Sequence, residues 1–184
     1  MKTLYRSNDL RHVGRRATFF LVLFTAVLIC VVRNQQALGQ WSHDPAANTP
    51  ISTAADDQSS AVITSDGSGG AIIAWHDRRN GANYDIYAQR VNASGVVQWT
   101  ADGVPISTAV NDQSHPVSVS DGAGGVIIAW WDLRSGSNYD IYAQRINSNG
   151  VVQWAGDGVP ISLAANNQYY ATITSDGSGG AIIT

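Results

Sequence analysis

Residues 40–184 hold three histidines (His43, His76 and His115), five arginines and thirteen aspartates, and no lysine, glutamate or cysteine. This inventory narrows the chemistry the chain can perform. None of the histidines has the spacing of a zinc site. No G-x-S-x-G segment offers a serine nucleophile for Ser-His-Asp catalysis. A sialidase-type site needs an arginine cluster and a tyrosine nucleophile assisted by glutamate, and the chain contains no glutamate. Two aspartates could hydrolyse a glycosidic bond if the environment raised the pKa of one of them beside the other. Asp66, Asp121 and Asp176 lie in Gly-rich turns and could ligate Ca²⁺ through oxygen. None has a second carboxylate close in sequence, so turn capping is the better reading and no cofactor is expected. Asp56-Asp57, reduced to Asn111-Asp112 and Asn166-Asn167, is a weaker calcium candidate still.

The remaining candidates emerge from an internal repeat. Gln58, Gln113 and Gln168 are 55 residues apart, as are Asp66, Asp121 and Asp176, and Trp99 and Trp154. Units 50–104 and 105–159 share 38 of 55 positions without a gap, and a third unit runs over 160–184. A fixed period of this length signals a solenoid, a propeller or an array. Residues that recur in every unit read first as scaffold. Trp75/Trp130 and Trp99/Trp154 are expected to pack between units, a sugar platform being the alternative. Asp77/Asp132 with Arg90/Arg145 are expected to form repeated ion pairs within each unit or turn contacts, rather than a catalytic set. Positions at which matched units differ are more informative, because function can specialise them. His76 stands where the next unit has Trp131, and Arg78 where it has Leu133. Ser60, His115 and Tyr170 share one position. His76, Arg78, His115, Trp131 and Tyr170 are therefore the candidate ligand-binding residues, with drift at permissive surface positions as the competing explanation.

The elements that carry them read as strands. Short runs rich in β-branched and aromatic residues are cut by Gly, Asn and Asp, with no helical periodicity. In the first unit the pattern predicts strands over 60–65, 71–77, 84–92 and 96–100, with Pro105-Ile106-Ser107 leading onward. The segment AIIAW is apolar on both faces, as in a sheet covered on both sides. Four strands per unit predict an all-β fold of four-stranded blades, part of a β-propeller. A β-solenoid or tandem small sandwiches are the runners-up. Gln40-Trp41 matches Gln98-Trp99 and predicts a lone fourth strand and lead-in over 40–49, able to complete a last blade. Because the third unit breaks off at Thr184, the chain is expected to belong to a longer protein.

The first 39 residues read as a secretory signal: a basic segment, the 16-residue apolar run 17–32, then Ala37-Leu38-Gly39. Cleavage after Gly39 is expected. An uncleaved anchor is the alternative, although a spanning helix wants about 20 residues. Cys30 follows Ile29, where a lipoprotein signal would have a small residue. Beyond the leader, five arginines against thirteen aspartates leave a net charge of −8. That charge disfavours a phosphate backbone, so no nucleic acid is expected as partner. No disulfide can hold this exported segment together, and no membrane span is expected in it.

The repeated text D-G-x-G-G-x-I-I-A-W-x-D, N-Y-D-I-Y-A-Q-R and G-V-V-Q-W resembles repeats of secreted bacterial β-propeller proteins over residues 40–184. A fainter likeness to the Asp-box repeats of sialidase-type propellers departs at Asn92-Ala93-Ser94-Gly95, which lacks the aspartate. The resemblance implies an extracellular or cell-surface protein. A binding or adhesion module for a glycan or a protein is the leading expectation. A glycosidase- or sialidase-like enzyme and a purely structural surface array are the alternatives.

Overall fold

The computed structural model describes Ala46 and residues 48–184. The leader expected at 1–39 and the lone strand expected at Gln40-Trp41 lie outside the described residues. The described residues are all-β, with no helix among them. β1 (Gln58–Ser65), β2 (Ala71–Asp77), β3 (Asp85–Val91) and β4 (Val104–Ser107) form one antiparallel sheet in chain order. β5 (Gln113–Ser120), β6 (Val126–Asp132), β7 (Asp140–Ile146) and β8 (Val159–Ser162) repeat it. β9 (Ile173–Ser175) and β10 (Ala181–Ile183) form a third hairpin. The sheets close no ring among the described residues.

The β1–β2 hairpin follows from its turn chemistry. Asp66 Oδ1 accepts the amides of Ser68 and Gly70, each at 2.8 Å. Gly67 and Gly69 supply φ of 74° and 84°, a region glycine enters without steric cost. Asp66 Oδ2 takes the Arg90 guanidinium at 2.8 Å, which ties the turn to β3. Burial alone would push the Asp66 carboxyl up. The Ser68 and Gly70 amides and Arg90 outweigh it and hold the group below its ordinary value. Turn capping, the preferred reading of Asp66 and Asp121, is thus what these side chains do.

Two expectations need correction. The fourth strand is β4 at Val104–Ser107, not 96–100. Val97 makes only an isolated bridge to Val91, and Trp99 leaves the ladder to bond the Ser148 carbonyl of the next unit at 3.1 Å. β4 is the sheet edge, where Pro105 withholds no needed N–H. The ion pairs also differ. Asp77 pairs with Arg79 and Asp132 with Arg134, both at 2.6 Å, whereas Arg90 and Arg145 serve the turn aspartates Asp66 and Asp121. Arg79 lies two residues beyond Asp77, so the chain turning out of β2 brings both its amide and its guanidinium onto one carboxylate.

The core lies between sheets. Ile72, Ala74, Ile86, Ala88, Trp99 and Ile106 pack against Val126, Ile128, Trp130 and Ile146 of the second sheet. A second cluster joins Ala129, Ile141 and Ala143 to Ala171 and Ile173 of the third unit. Each fully buried large side chain contributes about 1.5–3 kcal/mol. Trp99 and Trp130 do pack between units, as their recurrence suggested. β1 lies against β5 and β5 against β9, and Thr64 Oγ1 bonds Ser118 Oγ at 2.7 Å across the first junction. The first strands of successive units therefore stand side by side.

Candidate functional site

The first strand of each complete unit is irregular at one place. Pairing with the second strand slips between Ser59 and Val62, and again between Ser114 and Val117. Such a bulge leaves a residue out of the ladder and re-aims its side chain. The residues there, Ser60 and His115, have φ of 52°, and Tyr170 at the matching position of the third unit has 59°. Pro116 follows His115 inside the slip, where no ladder N–H is required of it. These three equivalent positions open on one cleft of about 700 Å³, lined by Ser60–Val62, His115–Val117, Trp131 and Tyr170–Thr172. A smaller recess of about 190 Å³ adds Ser114, Tyr139 and Tyr169 beside the same His115, Trp131 and Tyr170.

Aromatic rings fill the rim of this cleft. His115 stacks on Trp131 with centroids 4.0 Å apart and planes 21° apart. His76 meets His115 edge-on at 5.7 Å, and Trp131 meets Tyr170 edge-on at 5.2 Å. Tyr84 lies 4.5 Å from His76, and Tyr169 lies 4.7 Å from Trp131. The result is a ladder, His76–His115–Trp131–Tyr170, that alternates the end of one unit's second strand with the bulge of a first strand. Exposure alternates along it: His76 is 7% exposed, His115 exposed, Trp131 half-buried and Tyr170 82% exposed. Four of the five residues singled out by comparing repeats thus meet in one ladder. Arg78, the fifth, is exposed at the edge, its guanidinium 5.8 Å from the Tyr84 ring.

Three ring residues were missed. Tyr84 and Tyr139 recur in every complete unit and were therefore read as scaffold. Tyr169 carried a signal, since it stands where the other units have Ser59 and Ser114.

Two arrangements resemble catalytic ones. Ser59 Oγ lies 2.6 Å from His76 Nε2. His76 Nδ1, however, faces the His115 amide at 3.4 Å and accepts from it. In neutral His76 the proton then sits on Nε2 and is donated to Ser59, so the ring cannot act as the serine's base. Burial, and secondarily the His115 charge, lower the His76 pKa and keep it neutral near pH 7, against smaller opposing contributions from Asp112 and Asp77. The second arrangement is the cross-strand pair Asp77 and Asp85. Burial pushes Asp85 up to about 6. Burial acts the same way on Asp77, but Arg79 and the Trp75 indole outweigh it and hold that carboxyl low. A split pair is what acid–base work on a glycosidic bond requires. Yet Asp77 is fully buried and accepts four hydrogen bonds, Asp85 is 4% exposed, and neither lines the cleft. The pair recurs as Asp132 and Asp140. Asp77 holds the Trp75 indole and Arg79 at the end of β2, and Asp85 accepts the Asn80 and Asn83 amides of the turn into β3. Among the described residues no group of three or more His, Cys, Asp or Glu side chains could hold a metal.

Comparison with models of protein families, with curated proteins and with solved structures returns no match for this chain.

Proposed function

We propose that this chain is an exported, β-propeller-like repeat protein that binds glycan at the cleft rimmed by His115, Trp131 and Tyr170. The observation that carries the reading is the exposed aromatic ladder opening on a cleft of about 700 Å³. A pyranose ring has an apolar face of C–H groups and a rim of hydroxyls. Flat rings such as Trp131 and Tyr170 suit the face, and Ser60, Thr172 and His115 offer partners for the rim. Side-by-side first strands and meander sheets joined through apolar faces support a radial, blade-like arrangement. The leader sequence and the repeat resemblance support placement outside the cell or on its surface. A binding role is favoured over hydrolysis because the Ser59–His76 pair holds its proton on the wrong nitrogen and the Asp77–Asp85 pair is sealed from the cleft.

A glycan array probed with the full chain and with Trp131→Ala tests this reading. Truncating a central aromatic of a binding site costs roughly 2 kcal/mol or more, about 30-fold in affinity. Binding that survives Trp131→Ala unchanged places the site elsewhere.

A further inference from the structure

We infer that the left-handed bulge residue of each unit, His115 foremost, is the specificity-determining position of the cleft, and that the cleft takes an uncharged oligosaccharide contacting more than one unit. The inference rests on the reading of the cleft as a glycan site.

The backbone supplies the first argument. Positive φ is reached readily by glycine and more often by asparagine, aspartate and histidine than by other residues, and it is an outlier for a bulky residue such as tyrosine. Yet the three units place Ser60, His115 and Tyr170 there, at 52°, 52° and 59°. The positive φ is kept in all three units while the residue type changes, and all three positions line the same cleft. Strain retained at a fixed place beneath a changing side chain is what a site-forming position shows.

The junction geometry supplies the second. His115 touches Trp131 of its own unit and His76 of the preceding one. Tyr170 likewise reaches back to Trp131. Each bulge residue therefore lies between neighbouring units. A ligand laid across His115, Trp131 and Tyr170 spans two units, which a single sugar ring does not fill.

Charge supplies the third. Four of the five arginines in residues 40–184 are consumed by Asp77, Asp66, Asp132 and Asp121 at 2.6–2.9 Å. Only Arg78 stands at the edge of the ladder, and Asp112 holds the Tyr84 amide there at 3.0 Å. A sialylated or sulfated glycan would find one cation on a strongly acidic chain, whereas a neutral chain of sugars meets no such repulsion.

The test measures binding of glucose-, mannose- and N-acetylglucosamine-based oligosaccharides, monomer to hexamer, and of sialylated and sulfated counterparts, to the full chain by calorimetry. His115→Gly suits the φ of 52° and removes the ring, and His115→Ser copies the first unit. The inference predicts that both variants melt at or above the wild-type temperature and that their affinity falls at least tenfold. It also predicts that His115→Ser changes the ranking among sugars and that wild-type affinity climbs from monomer to trimer. Unchanged affinity in both variants, with binding still lost in Trp131→Ala, overturns the inference and leaves the glycan site standing. A lowered melting temperature in His115→Gly makes the residue structural and also overturns it. Tighter binding of the anionic sugars overturns the ligand class. If no sugar binds the wild type, the inference and the reading beneath it fall together.

Discussion

Asp85 should make this protein less stable as the pH rises from about 4 to about 6, and removing its charge should abolish that loss. The carboxyl is 4% exposed, accepts the side-chain amides of Asn80 and Asn83 at 3.0 and 3.1 Å, and stands opposite Asp77 in the β2–β3 ladder. Burial pushes its pKa from 3.8 up to about 6. A carboxyl whose folded value lies above its unfolded value contributes its full stability below about pH 4 and loses it progressively as pH climbs from there through about 6. At 1.36 kcal/mol per unit the gap is worth at most about 3 kcal/mol, and dielectric relaxation around the carboxyl brings this to roughly 1–2 kcal/mol. Asp85→Asn keeps the shape and removes the titration. The swap carries a fixed hydrogen-bond cost of about 1 kcal/mol, because one donor amide loses its acceptor, but that cost does not vary with pH. Urea unfolding at pH 4 to 8 separates the two effects. The variant should gain roughly 1–2 kcal/mol on the wild type across that range, nearly all of it between about pH 4 and pH 6 and little above. Asp66, Asp77 and Asp121 lie below 3.8, so their contributions are lost only as pH falls through more acidic values. Parallel pH profiles for wild type and variant would refute the reasoning.

Two further predictions concern the scaffold that holds the cleft. Asp132 accepts the Trp130 indole, the Arg134 amide and both Arg134 guanidinium contacts at 2.6–2.9 Å while fully buried. Asp132→Ala should cost about 3–5 kcal/mol and lower the melting temperature by roughly 10 °C, read by calorimetry. At Gly158, φ is 85°, and a Cβ would sit 2.5 Å from Trp130 Cη2 and 2.7 Å from the Ala143 carbonyl. Gly158→Ala should therefore cost more than about 3 kcal/mol, against about 1 kcal/mol for Gly122→Ala, where φ is 74° and nothing lies near. Equal unfolding midpoints for the two glycine variants would contradict the packing described.

The sequence carried β2 and the Asp66 turn plainly, because apolar density and Asp-Gly chemistry act locally. The fourth strand was not legible. The run GVVQW alternates like a strand, but Trp99 finds more apolar contact on the next unit than in its own ladder, a tertiary choice no local pattern reveals. Pro105-Ile106-Ser107 reads from the sequence only as a segment leading onward, whereas it belongs to the edge strand β4. The aspartate–arginine pairs were misassigned for a related reason, since the turn after β2 decides which guanidinium arrives first. The candidate site was more visible than the fold around it. Differences between near-identical units singled out His76, His115, Trp131 and Tyr170; the slip in β5 sets His115 at the cleft that Trp131 and Tyr170 also line, and His76 adjoins it through the His115 ring. Tyr84 and Tyr139 stayed hidden because a residue constant in every unit can serve scaffold and rim at once.

Titrating a neutral oligosaccharide into the ¹⁵N-labelled chain while following the indole N–H resonances tests the central claim most directly. Trp75 and Trp130 donate their indoles to Asp77 and Asp132 inside the sheets, whereas Trp131 borders the cleft. The account predicts that the Trp131 indole shifts in a saturable way while those of Trp75 and Trp130 stay in place. A saturating titration that leaves Trp131 unmoved, or no shift with any neutral oligosaccharide, would contradict it.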